Sequence, residues 1–542
     1  MDRRDFLSGL LSATAIARAA PAALVATACG PGDAAPAPAR RRAPAPPPPP
    51  PAPPADAIDV TKRFGFVGDG KADNYEAFQR LALYANSVGG GSYVFPPGTY
   101  YVEKYRTVSI GTRDLRQVIN AQYVNCGRLN IHGYGARIVL NGNFHRSGAK
   151  GKDGLTVGVH MAVFMPFEIR RCRNVTISGL EMDGGVRGMT RDYNVFEAYA
   201  SLIALSACQD VLLQDLDLHH CQSDGIMMSD DVILSDLKPG RACRNVTLRN
   251  VKCRNNGRGG LAPLQVYGMS AVDCEFSGNG FPGGKYDWHS PGFGVDVEPD
   301  RANEGVDVDT KTGNLEFVRC NFYDNFSAFL ACYLNSFKGY CRLIDCNSRN
   351  RNNAPNHIIA TWPGEGILIQ GGTHDSGEGC IWVSWQGQSG GTTTLRNCKV
   401  RSSHHFGILH SQSENIAVVE GCTITGTHKK PGPSGHFVFF GQTPGRGRRN
   451  IYRGNTMFLP AALHDHSRPF DIEPNFANTN LSDNLYTTDL KVPGLHFARN
   501  YDPKNCSVRN ERFRGAFPGT KDTFRPIAAS EAYDTRVPFN AP

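Results

Sequence analysis

The sequence lacks a basic stripe with interleaved aromatic residues, lacks the Cys and His spacings of a zinc site, and lacks a clean apolar run long enough to span a membrane stably. The first absence argues against nucleic acid as a partner. The second leaves no metal site to assign. The formal net charge of +8 does not contradict the first, because proline and several arginines crowd the first 54 residues, so little of that charge describes a folded face. At 542 residues the chain is long enough for two or three ordinary domains or for one long repeat domain with a large core.

What is present begins with an address. Asp2-Arg3-Arg4-Asp5-Phe6-Leu7 is a twin-arginine pattern, followed by an alanine-rich stretch that Arg18 interrupts. Residues 1–28 therefore read as a signal for export of an already folded protein, to a periplasmic, membrane-anchored or extracellular location. Ala26-Thr27-Ala28-Cys29 has two readings, a small-residue cleavage site or a lipobox that leaves Cys29 lipidated and attached to a membrane. Residues 29–56 are rich in Pro and Ala and form an extended tether without a core.

From residue 57 the character changes, and a repeat domain runs to about 490, with 491–542 as a C-terminal cap or tail. Glycine is abundant, 59 residues, and falls beside Asn and Asp, as many short strands joined by turns require. A helix is expected from about Asn74 to Ala85, with Phe78, Leu81 and Ala85 on one face. Strands opening successive turns of a solenoid are placed at Leu202–Leu205, Gly225–Met228, Pro263–Tyr267, Gly294–Glu298, Phe329–Leu334, His357–Thr361, Cys380–Val383, Gly407–His410 and His436–Phe440. Between them recur second strands that follow an Asn or Asp turn, at Asn174–Ser178, Asp210–Gln214, Asn245–Arg249, Asn314–Val318, Thr394–Cys398 and Asn415–Val419. Inward residues of such coils must stack on their counterparts about 4.8 Å away. Cys172, Cys208, Cys243, Cys274, Cys320, Cys346, Cys398 and Cys422 fall at equivalent places and read as an interior ladder of thiols, since folding before export disfavours a disulfide framework.

The opening of this domain, Ile58-Asp59-Val60-Thr61, then Phe64-Gly65-Phe66-Val67-Gly68-Asp69-Gly70, then Gly89-Gly90-Gly91-Ser92-Tyr93-Val94-Phe95-Pro96-Pro97-Gly98-Thr99-Tyr100, resembles the N-terminal cap of the pectate-lyase-like superfamily, which includes polygalacturonases. The resemblance implies an all-β fold, a single-stranded right-handed parallel β-helix with a capping helix. Gln222-Ser223-Asp224-Gly225 is similar to the Asn-Thr-Asp-Gly pattern that carries one catalytic aspartate in polygalacturonases, which maps onto Asp224. The chain departs from that family on the next coils. Where the family has an Asp-Asp pair and then Gly-His-Gly, this sequence has Asn256-Gly257-Arg258-Gly259-Gly260, and the family's Arg-Ile-Lys is absent.

The residues themselves point to a second carboxylate site. In Ser290 to Arg301 valines alternate with acids, so Val295 and Val297 are expected to face a core while Asp296 and Glu298 share the opposite face. Acids two residues apart on a strand could reach either separation that glycoside hydrolysis uses, about 5 Å or 6.5 to 9.5 Å. Arg258, before the neighbouring strand, and His289, in an insertion beside this rung, are supporting groups, with Asp192 in the upstream loop of residues 183–193. Gln265, Tyr267, Tyr333, Trp362 and Trp382 are candidate sugar-binding residues along a groove.

These readings combine into an exported carbohydrate-active enzyme that cleaves a polysaccharide by hydrolysis, with Asp296, Glu298 and Asp224 as acid, base or orienting carboxylate, and with no cofactor required. One alternative is a polysaccharide lyase, which would need an Arg or His base and calcium on the acids. A different class is a non-catalytic, surface-tethered polysaccharide-binding or assembly protein.

Overall fold

The computed structural model describes residues 50–104, 106–110, 121–140, 147–150, 156–163, 165–188, 201–230, 240–280, 292–297, 312–326, 328–333, 339–349, 357–361, 366–376, 392–402, 416–426, 436–438, 450–459, 470–472, 479–488, 495–497, 507–510 and 512–514. The expected signal, Cys29 and residues 30–49 of the expected tether lie outside these residues.

The chain coils as a right-handed parallel β-helix. One eight-stranded sheet takes a single strand from each of eight coils. Its members are β1 (Gln122–Val124), β2 (Phe167–Arg170), β3 (Ile203–Ser206), β4 (Asp224–Ser229), β5 (Gly259–Pro263), β6 (Phe293–Val297), β7 (Ala328–Tyr333) and β8 (His357–Thr361). Each pairs in parallel with the next in chain order. Since a parallel neighbour needs a crossover, the rest of every coil must travel around the core before returning. That remainder forms a 27-stranded sheet.

The interior of the larger sheet is a stack of columns. Val175, Val211, Val246, Met269, Leu315, Cys341 and Ile367 lie in mutual register over seven coils, and all are buried. Every inward side chain is covered above, below and across, so each coil completes the core of its neighbours. The turns that make this possible have a fixed chemistry. Asn174, Asp210, Asn245 and Asn314, the turn residues before the second strands, take left-handed backbone with φ of 48°, 57°, 50° and 50°. Asn and Asp tolerate that conformation better than other residues with a side chain. Two more, Asp215 at 54° and Asn250 at 50°, bend the long strands Gln209–His219 and Cys243–Arg254 midway, and Asn250 Nδ2 donates to Asp215 Oδ1 at 2.8 Å.

Helix α1 (Tyr75–Val88) closes one end, burying Ala77, Phe78, Leu81, Ala82 and Ala85. Its Phe78 meets Phe66 and Phe95 at ring-centroid distances of 4.8 and 6.0 Å, and reaches Phe167 of β2 at 6.1 Å. The eight ladder cysteines are all buried free thiols. They lie along the coil corners, where Cys172 and Cys208 each donate to a carbonyl of the coil before, Tyr123 O at 3.4 Å and Ile169 O at 3.2 Å.

The structure differs from the sequence reading in three places. The rung expected at Pro263–Tyr267 lies earlier, at β5, and Val266–Val272 belongs to the larger sheet. Glycine at 259 and 260 disguised a strand that has to be thin, for a Cβ on Gly260 would sit 2.6 Å from the Gly294 carbonyl oxygen. An antiparallel sheet of Arg106–Ile110, Ser147–Lys150 and Thr156–Val163 interrupts the repeat. Parallel pairing also continues past the point where the sequence period fades, through Ser507–Arg509 and Arg512–Arg514.

Candidate functional site

Asp224, Arg258 and Asp296 come from three successive coils and meet on the eight-stranded sheet. Asp224 is the first residue of β4, and the glycine that follows fixes its direction. A Cβ on Gly225 would lie 2.9 Å from Gly260 O and 3.0 Å from Cys253 Sγ, so position 225 faces the filled interior and Asp224 stands on the other side. Its neighbour in register is Gly259, where a Cβ would come within 2.7 Å of Asp224 Oδ1. Glycine there leaves the room that the carboxylate occupies.

Asp296 sits between Val295 and Val297, whose side chains are wholly buried in the core, and pairs in register with Ala331. Strand alternation therefore sends its carboxyl to the face opposite the core. Arg258 joins the two acids. Its Nη1 donates to Asp224 Oδ2 at 2.9 Å and its Nη2 to Asp296 Oδ2 at 3.3 Å. Ser223 Oγ donates to Asp224 Oδ2 as well, at 3.1 Å, and Arg258 N donates to Ser223 O at 3.0 Å. The backbone of one coil thus holds the head of the next.

This cluster is buried: Asp224 and Asp296 are each 1% exposed and Arg258 7%. Charge-assisted hydrogen bonds are strongest in such surroundings, and the desolvation penalty for charges left uncompensated is largest there too. Among the described residues one guanidinium faces both carboxylates.

The remaining predicted residues divide clearly. Gln265 is also buried, 1% exposed, on the turn after β5, with its backbone N–H bonded to Met228 O at 3.0 Å. Among the described residues neither its amide oxygen nor its amide nitrogen has a hydrogen-bond partner. Tyr267 does not belong to the groove sheet, which corrects the expectation for it: it lies in Val266–Val272 of the larger sheet, and its hydroxyl accepts from Asn314 Nδ2 at 3.0 Å. The cause is the misplaced rung, which shifted this tyrosine from one sheet to the other. Tyr333 ends β7, and nothing beyond its backbone is described. Glu298, His289, Asp192, Trp362 and Trp382 lie outside the described residues.

Sequence reasoning missed the part played by Ser223, Gly259 and Gly260. A signal was available: a run of glycines directly after an arginine, in register with an Asp-Gly step one coil away, marks a place where backbone must approach backbone.

The fold and site together define a right-handed parallel β-helix with a buried Asp–Arg–Asp bridge on the sheet that receives one strand per coil. No family model matches the chain. It is 23% identical over 292 residues to the uncharacterized protein YclG of Bacillus subtilis, an alignment that covers 52% of this chain and 44% of that protein. The chain thus spans less than half the length of this curated relative. Among solved structures, it is similar to PfbA, a surface adhesin of Streptococcus pneumoniae, at 12% identity and a TM-score of 0.46, covering 85% of this chain and 92% of the other. It is also similar to the A-module of the Azotobacter vinelandii mannuronan C-5 epimerase AlgE6, at 15% identity and a TM-score of 0.41, covering 84% and 99%.

Proposed function

We propose that this protein is an exported enzyme that cleaves a polysaccharide by hydrolysis, with Asp224 and Asp296 as its carboxylate pair and Arg258 as the residue that positions them. The observation that carries the reading is the bridge itself. Two acids on a solenoid face that suits a linear polymer are joined through one guanidinium. Their separation is thereby limited to the span of that group and two hydrogen bonds, within the range of glycosidase carboxylate pairs, about 5 to 9.5 Å. General acid catalysis needs two carboxyl groups held close together, one to give a proton and one to stay ionised. Gln265 adds a buried amide able to donate to and accept from a sugar hydroxyl.

Hydrolysis is preferred over lyase chemistry because Arg258 is committed to both acids, which suits a positioning cation and does not suit a base. The test is to incubate the purified chain with a panel of neutral and acidic polysaccharides, measuring reducing ends and ultraviolet absorption together. Reducing ends without unsaturated ends are expected. The Asp224→Asn and Asp296→Asn variants should each lose about 100-fold or more in kcat with the fold intact by circular dichroism. Ultraviolet-absorbing ends would replace this reading with a lyase, and binding of a polymer without cleavage would replace it with a tethered binding protein.

A further inference from the structure

One turn upstream of Asp224, three metal-binding side chains converge that the polysaccharide site does not use. We propose that Asp183, His219 and His220 form a binding site for one divalent transition-metal ion of the zinc type. One ligand atom from each of the three lies within 4.8 Å of those of the other two. His219 ends the strand Gln209–His219, where the next side chain would ordinarily point to the opposite face. His220 takes left-handed backbone instead, with φ of 53°, and this turns its ring back until the two Nδ1 atoms are 2.7 Å apart. Asp183, one coil below and paired in register with His219, brings Oδ1 to 3.9 Å from His219 Nδ1. With metal–ligand bonds of about 2.1 Å, octahedral or tetrahedral coordination needs donor separations of about 3.0 to 3.4 Å, which these two distances bracket.

The surroundings choose the donor atoms. Glu181 Oε1 stands 3.2 Å from His219 Nε2, and a carboxylate there fixes the ring with its proton on Nε2 and a lone pair on Nδ1, facing the cluster. Arg137 pairs with Glu181 and with Asp183 Oδ2, while Asp183 Oδ1 accepts from Gly185 N–H at 3.0 Å and retains a second lone pair. Two imidazole nitrogens and one carboxylate oxygen suit zinc, nickel or cobalt better than calcium or magnesium. Three protein ligands leave coordination positions open. The sequence shows no spaced metal motif because the ligands are two adjacent histidines and an acid from the previous coil.

The test titrates cobalt(II), then zinc(II) in competition, into the metal-stripped full-length protein, with visible ligand-field absorption and calorimetry as readouts. One equivalent per chain is expected, and His219→Ala and His220→Ala should each abolish the cobalt spectrum. Glu181→Gln should keep the stoichiometry and weaken affinity about 10- to 100-fold, a change that a purely structural glutamate would not produce. The Glu181 variant also decides the matter should a histidine variant fail to fold. Absence of a saturable equivalent in the unaltered protein, or binding that none of the variants changes, would overturn the proposal.

Discussion

Removing Arg258 is the sharpest perturbation that the structure offers. In Arg258→Met the aliphatic stem is replaced at similar length, so the change falls on the charge. Two carboxylates, each 1% exposed, then lose the cation that lies 2.9 and 3.3 Å from them. Breaking a buried ion pair by deleting one partner costs about 3 to 5 kcal/mol, because the remaining charge stays buried and uncompensated. With two acids on one cation, the upper part of that range is expected near pH 7. Urea unfolding followed by circular dichroism at pH 7 and at pH 4 measures it. The deficit should shrink at the lower pH, where carboxylates neutralise, while a packing defect would not respond. Adding Asp224→Asn and Asp296→Asn to Arg258→Met should recover the whole loss or more, since replacing a complete buried ion cluster by neutral groups is often neutral or stabilising. A deficit below about 1 kcal/mol, or one unchanged between the two pH values, would refute the charge argument.

The other expectations follow from single contacts. Gly260→Ala places a Cβ 2.6 Å from Gly294 O, a backbone atom that cannot step aside, so β5 and β6 must separate; a loss of about 1 to 3 kcal/mol in unfolding free energy is expected, and an unchanged midpoint would contradict the registered approach of the two strands. His374 is buried against Ser348, whose Oγ lies 3.0 Å from its Nδ1, and burial pushes the imidazole down to about 4 from about 6.5 when unfolded. A depressed histidine stabilises the fold fully above about 6.5 and loses that contribution as pH falls toward 4, about 3 kcal/mol in all, so His374→Gln should flatten the stability profile over that window and parallel profiles would count against it. The buried thiols of the ladder should resist maleimide in the native protein and react together in denaturant, with no effect of reductant on the melting temperature; rapid native labelling at Cys208 or Cys243 would show the columns to be open.

What the sequence makes legible here is what every coil must repeat. An interior position has to be apolar, a corner has to admit left-handed backbone, and these demands recur often enough to be read as a period: Val175, Val211 and Val246 in one column, Asn174, Asp210 and Asn245 at one corner. The site answers to no such repetition. Arg258 is recognisable as a charge near a turn, yet its service to acids on the coils to either side depends on Gly259 and Gly260 being absent as side chains, and absence leaves little pattern. The same economy misplaced Tyr267, because Val266 and Tyr267 look more like a rung than Gly259 to Pro263 does. His219 and His220 escaped notice for a related reason, since adjacent residues on a strand are expected to diverge, and only the left-handed turn at His220 brings them together.

On the proposed reading the departures from the period carry the chemistry, and they can be sought as such. The coil corners near Asp224 combine a histidine in left-handed backbone, a strand that opens on an acid and a neighbour reduced to two glycines. Each alone is a local irregularity that costs stability. Stacked within two coils, the three place a buried bridge of one cation and two acids beside a cluster of metal-type ligands. The stability tests and the activity tests therefore bear on one question: variants that relieve these irregularities, such as the triple neutral variant of Asp224, Arg258 and Asp296, should keep or raise the unfolding midpoint while abolishing cleavage. If instead the triple variant were both less stable and fully active, the cluster would be part of the scaffold and the catalytic reading of it would fail.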